Sequence, residues 1–196
     1  MNEHKNKIKI AAIIGSVRPE NMTAKVLAFV VDELKKYKNV QIDIIDPHDF
    51  HLNSLEVKKK KSVEKLQKTV SKATGVILTT PEYHGSYSST IKLVIDNLGY
   101  PSVLSGKPVA LLGIASGQIG AIKALEHLRS VCSHIGSLVL PGAVSVAGVH
   151  KVFDDQGNCL DAKVEKMVRA LATNLMEYIQ KHICPLKAFE ETVRNE

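Results

Sequence analysis

What most constrains this chain is a series of five short apolar runs, each followed by a stretch of helical periodicity. Ile8 to Ile14, bounded by Gly15, is the first. Val40 to Ile45, in which apolar and polar residues alternate, Val76 to Thr80, Val109 to Ala115 and Leu138 to Leu140 are the others, the third stopping at Pro81. Near-continuous apolar runs with β-branched enrichment read as strands buried on both faces.

Between them, apolar residues recur every three or four positions: Val26, Leu27, Val30, Val31 and Leu34; then Val63, Leu66, Val70 and Ala73; then Ile91, Val94, Ile95 and Leu98. Ile122, Leu125, Leu128 and Cys132 mark a fourth helix. Val164, Met167, Val168, Leu171, Leu175 and Ile179 mark a long fifth one, predicted to end before Pro185. Strands alternating with amphipathic helices predict an α/β fold, a parallel sheet covered on both faces. The 196 residues, 44% of them hydrophobic, suit one domain over residues 1–186, with Lys187 to Glu196 read as a loosely held tail.

The net charge of +6 invites a nucleic-acid reading, but much of the excess sits in Lys58 to Lys61 with Lys65, Lys68 and Lys72, and the chain has no Trp. A basic run without interleaved aromatics is expected to be a solvated helix face, so no nucleic-acid partner is predicted. The apolar run after the charged first residues is too short to span a bilayer, and neither signal peptide nor membrane anchor is expected. Three cysteines without a CxxC pair argue against a disulfide framework and a zinc site, and point to a cytoplasmic setting; no metal is predicted.

Ligands of such sheets bind beyond the C-terminal strand ends, where strand order reverses. After strand one comes Gly15-Ser16-Val17-Arg18-Pro19-Glu20-Asn21-Met22-Thr23, opening a helix. Unpaired backbone N–H groups and the positive end of the helix dipole make an anion site there. Ser16, Asn21 and Thr23 add short polar side chains and Arg18 adds a planar fork suited to a phosphate monoester. The same residues also suit a plain reading, in which Asn21 or Thr23 caps the helix and Arg18 is a surface charge. Neither GxGxxG nor GxxxxGK[ST] is present after strand one.

After strand three comes Pro81-Glu82-Tyr83-His84-Gly85-Ser86-Tyr87-Ser88, whose aromatics, glycine and hydroxyls can border a flat ring or form a tight turn with Ser88 as a helix cap. After strand four, Ser116-Gly117-Gln118-Ile119-Gly120 again sets glycines where a helix begins. Three such loops at one sheet edge would set a phosphate site beside a flat-ring site.

Gly15-Ser16-Val17-Arg18 resembles the GSxR phosphate loop, and Pro81 to Tyr87 the PEYNGSY flavin loop, of the NADPH-dependent FMN reductase family. That resemblance implies a flavodoxin-like three-layer sandwich with a five-stranded parallel sheet in the order 2-1-3-4-5. It implies bound FMN, with Ser16, Arg18, Asn21, Met22 and Thr23 at its phosphate, Pro81, Glu82, Tyr83, His84, Gly85 and Ser86 bordering its ring, and Ser116 and Gly117 closing the other side. NADPH or NADH would be the donor and a small molecule such as a quinone, azo compound, free flavin or metal oxyanion the acceptor. A homodimer or homotetramer is implied as well. The chain departs from the family at His84, where Asn is usual, and at Asn97, where an aromatic residue is common.

In this reading FMN carries the chemistry and no side chain acts as a dedicated acid or base, although His84, an imidazole near the flavin, is a candidate modulator. Without a second nucleotide-binding domain, donor and acceptor would use one site in turn, a ping-pong scheme. The rival is an FMN-binding electron carrier or regulator that oxidises NAD(P)H poorly. Ser86 near His84 superficially suggests a hydrolase, but no GxSxG elbow follows a strand.

Overall fold

The computed structural model describes residues 7–50, 52 and 61–194. The basic residues Lys58 to Lys60 and the end of the predicted tail lie outside them. Strands β1 (Ile8–Ile13), β2 (Val40–Ile45), β3 (Gly75–Tyr83), β5 (Pro108–Ile114) and β6 (Leu138–Val139) form a parallel sheet in the order β2-β1-β3-β5-β6. In chain order these are the five predicted strands in the predicted arrangement. Among the described residues the sheet has seven strands rather than five, because β4 (Ser86–Tyr87) pairs antiparallel with β3, and β7 (Val144–Val146) continues the fifth position along β5 beyond β6.

Period-two alternation sorts the strand side chains onto two apolar layers. Ile8, Ile10, Ala12 and Ile14 face helices α1 (Met22–Leu34) and α6 (Ala162–Tyr178). Ala11 and Ile13 face α2 (Lys61–Lys72), α3 (Ser89–Asp96) and α4 (Ile122–His134). Both layers are closed, which explains the near-continuous apolar runs. On the outer surface α1 and α6 are tied by Arg169, which donates to Asp32 at 2.7 Å and Glu165 at 2.8 Å. Lys61, Lys65, Lys68 and Lys72 are exposed on α2, as expected of a solvated face. Cys132 is buried on the inner face of α4, and burial pushes its thiol up to about 12, so thiolate chemistry is suppressed there.

Two sequence expectations are corrected. Pro81 does not end the third strand: β3 runs through it to Tyr83, with Pro81 opposite Ile114 in the parallel register and the next two residues paired to β4. Pro185 does not end the last helix either. A π-helical turn over Ile179–Ile183 follows α6, and a helix α7 (Cys184–Arg194; α5 is the short Val149–Val152) carries the chain on, so Lys187 to Arg194 are helical, with none of their side chains buried. Pro185 stands in the first turn of α7, where a missing N–H costs little, and the wider preceding turn relieves the clash with an earlier carbonyl.

Candidate functional site

From β1 the neighbouring strand on one side is β2 and on the other β3, so strand order reverses between β1 and β3, and the loops leaving these two strands flank the crevice. Its floor is a buried hydroxyl clamp. The Thr79 hydroxyl accepts from the Gly15 N–H at 3.1 Å and donates to the Ile13 carbonyl at 2.8 Å. The Ser88 hydroxyl donates to the Gly15 carbonyl at 2.6 Å and accepts from the Ile91 N–H at 3.1 Å, capping α3. The Thr80 hydroxyl accepts from the Ser88 N–H at 3.0 Å. Glycine is required at position 15, since a Cβ there would stand 1.9 Å from the Thr79 carbonyl oxygen.

Above this floor the β1–α1 loop is ordered by its own polar groups. The Ser16 hydroxyl, buried, accepts from the Arg18 N–H at 3.3 Å. Asn21 caps α1 by accepting from the Ala24 N–H at 2.8 Å, and its amide donates to the Arg18 carbonyl at 2.8 Å. The cap predicted as an alternative to ligand binding is therefore real. It takes one orphan N–H of the first turn, while the N–H groups of Met22 and Thr23 have no intrahelical partner. No acidic residue stands in that turn. Arg18 lies over the Tyr83 ring, its guanidinium carbon 4.9 Å from the centroid.

Tyr83 belongs to a two-residue hairpin. His84 and Gly85 both have positive φ, 50° and 73°, the pattern of a type I′ turn between Tyr83 and its partner Ser86. The hairpin is anchored to α4. Glu82 accepts from the Ala124 N–H at 3.0 Å, supplying the cap that Ala121 cannot, and Ser86 bonds to His127 Nδ1 at 3.0 Å.

These loops enclose a cleft of about 590 Å³, within the usual range for small-molecule sites. Of the residues singled out in the sequence, Ser16, Arg18, Asn21, Met22 and Thr23 line it from the first loop. Pro81, Glu82 and Tyr83 line it from the hairpin and Ser116 from the loop after β5. Four do not reach its wall. His84 and Gly85 form the turn, the Ser86 side chain is turned to α4, and the Gly117 carbonyl accepts from the Gly148 and Gly120 N–H groups. The sequence reading missed Lys25, Val149, His150 and Asp155, which also line the cleft. For Val149 and His150 the signal was the Val144-Ser145-Val146 alternation followed by Gly148, one further strand and helix start.

Helix N-terminus, hydroxyls and guanidinium beside an apolar wall of Pro81, Tyr83, Ile114 and Ala115 define a class: a doubly wound α/β protein built for a ligand with an anionic end and a flat body. The sequence pattern of the family "NADPH-dependent FMN reductase" matches residues 8–151, and the chain belongs to that family. It is 27% identical over 172 residues to an NADPH azoreductase from Bacillus sp. (strain OY1-2), covering 87% of this chain and 94% of the relative. It is 29% identical over 138 residues to a 2-hydroxy-1,4-benzoquinone reductase from Burkholderia sp, covering 68% and 74%. Among solved structures, FerB from Paracoccus denitrificans, a flavoenzyme NAD(P)H:(acceptor) oxidoreductase, superposes with a TM-score of 0.73 at 26% identity, covering 89% of this chain and 98% of that one. Membership makes the chain an NAD(P)H-dependent oxidoreductase whose cofactors are FMN and NADPH. Among the described residues no helix is long and apolar enough to cross a membrane.

The donor set fits FMN. A phosphate dianion needs several converging donors, and the first turn of α1, which holds no acidic residue, provides them with Ser16, Thr23 and Arg18; of the acidic residues that line the same cleft, Glu20, Glu82 and Asp155, Glu82 is engaged by the Ala124 N–H.

Proposed function

We propose that the cleft at the C-terminal sheet edge holds FMN with its phosphate on the β1–α1 loop and its ring toward Pro81, Glu82 and Tyr83, and that NAD(P)H and then a small acceptor meet the ring in turn. The observation that carries this is the meeting of the α1 N-terminus and Arg18 with the Pro81–Tyr83 wall in one cleft. When bound, FMN supplies the ring that takes up hydride and passes electrons on.

The chain's own residues bind and orient. The Met22 and Thr23 N–H groups and the hydroxyls of Ser16 and Thr23 hold the anionic end, and Arg18 offsets its charge. The clamp of Thr79, Thr80 and Ser88 fixes the spacing between phosphate loop and ring wall, because it joins the end of β1 to β3 and the start of α3. Holding both ends of one ligand at a fixed separation is what this site contributes to rate.

Quinones, azo compounds, free flavin and metal oxyanions are the acceptors this reading admits, and a homodimer or homotetramer is the assembly it expects. Steady-state rates measured against NADPH at several fixed quinone concentrations test the one-site scheme. Parallel double-reciprocal lines are expected; intersecting lines would mean that donor and acceptor are bound together, which the scheme forbids.

A further inference from the structure

The side chain of Arg18 is exposed, and a long flexible cation normally loses much of its rotamer freedom when it engages a ligand. Here that freedom is already restricted. The Arg18 N–H is held by Ser16 and its carbonyl by the Asn21 amide, so the backbone is pinned on both sides. The guanidinium rests on the ring of Tyr83, 4.9 Å from its centroid, across the cleft from its own loop. Tyr83 is itself a firm platform, since it closes the His84–Gly85 turn and its neighbours Glu82 and Ser86 are both bonded to α4.

We infer that Tyr83 is a positioning residue for the phosphate site: by holding the Arg18 guanidinium over its ring, it presents a pre-ordered fork to the FMN phosphate. This rests on the reading that Arg18 holds that phosphate. A guanidinium carried on a ring face keeps its in-plane N–H donors available for an anion, whereas a carboxylate partner would consume them. Among the described residues no carboxylate forms an ion pair with Arg18. The hairpin thus serves the phosphate loop as well as the ring wall, and the two ends of the site are energetically linked.

The test is a double-mutant cycle on FMN binding to deflavinated full-length protein, read by quenching of flavin fluorescence. Tyr83→Leu is expected to raise the FMN Kd about threefold to tenfold in the parent protein and by a clearly smaller factor in an Arg18→Ala background, where only its place in the ring wall is lost. Tyr83→Phe, which keeps the ring face, is expected to bind as the parent does. A Tyr83→Leu effect of equal size in both backgrounds would overturn the inference, because Tyr83 would then act through the ring wall alone and not through Arg18. So would loss of affinity in Tyr83→Phe, or no change in Tyr83→Leu while Arg18→Ala still weakens binding. If Arg18→Ala itself leaves the Kd unchanged, the phosphate assignment fails and the inference with it.

Discussion

The floor and the rim of the cleft are built in opposite ways. The floor is a closed set of buried hydroxyls and backbone groups around Gly15, Thr79, Thr80 and Ser88, in which each hydroxyl both donates and accepts. The rim is exposed and carries Arg18, Tyr83 and the His84–Gly85 turn, held by one cation–π contact and a hairpin. Buried polar groups are costly to leave unpaired, while exposed contacts contribute little to folding. Floor residues should therefore govern stability, with ligand binding following, and rim residues should govern binding while stability stays nearly constant.

Four substitutions would break or sharpen that contrast. Gly15→Ala has the largest expected effect, a loss of about 3 kcal/mol or more in urea unfolding, since its Cβ meets rigid backbone rather than a yielding side chain. A loss under about 1 kcal/mol would show that the β1–β3 contact can relax. Ser88→Ala strands the Gly15 carbonyl and the Ile91 N–H, and should cost about 2–3 kcal/mol by the same measurement. Arg18→Ala should weaken FMN binding by about 1.5–3 kcal/mol in a fluorescence titration. Its unfolding free energy should stay within about 0.5 kcal/mol of the parent, and a larger drop would move Arg18 from rim to floor. His84→Asn has the smallest effect and the opposite sign. Asn tolerates positive φ better than His and is favoured before Gly in this turn, so stability should rise by about 0.5 kcal/mol. Destabilisation would mean that the imidazole has a contact of its own.

That last residue shows what was legible in the sequence and what was not. The phosphate loop and the hairpin could be located because each carries its pattern locally: an apolar run, a glycine, then a helix start. The family's usual Asn before Gly85 has a physical reason in the turn, yet His84 read as a chemical candidate because a sequence shows an imidazole and not its φ. Glu82 was expected beside the flavin ring, and in the structure it lines the cleft. Its second task, capping α4 at Ala124, joins residues 42 positions apart and leaves no local trace. Lys25 and Asp155 were missed for the same reason: the ammonium reaches the Asp155 carbonyl at 2.6 Å across 130 positions.

The central strands β1, β3 and β5 were legible because buried parallel strands are apolar nearly throughout, and the edge strand β2 because its apolar and polar residues alternate. The short β4 and β7 were not, since two or three residues hold too little pattern to read. Pro81 and Pro185 misled for a shared reason. Proline was read as a stop, but each stands where its missing N–H is tolerated, one near the end of β3 and one in the first turn of α7.

Anaerobic addition of NADPH to the purified, FMN-loaded protein, followed by a quinone, tests the central claim most directly. The account predicts that the visible flavin band bleaches within seconds and returns when the quinone is added. A band that persists under excess NADPH would contradict it, and would leave the same cleft to an electron carrier or a flavin-dependent regulator.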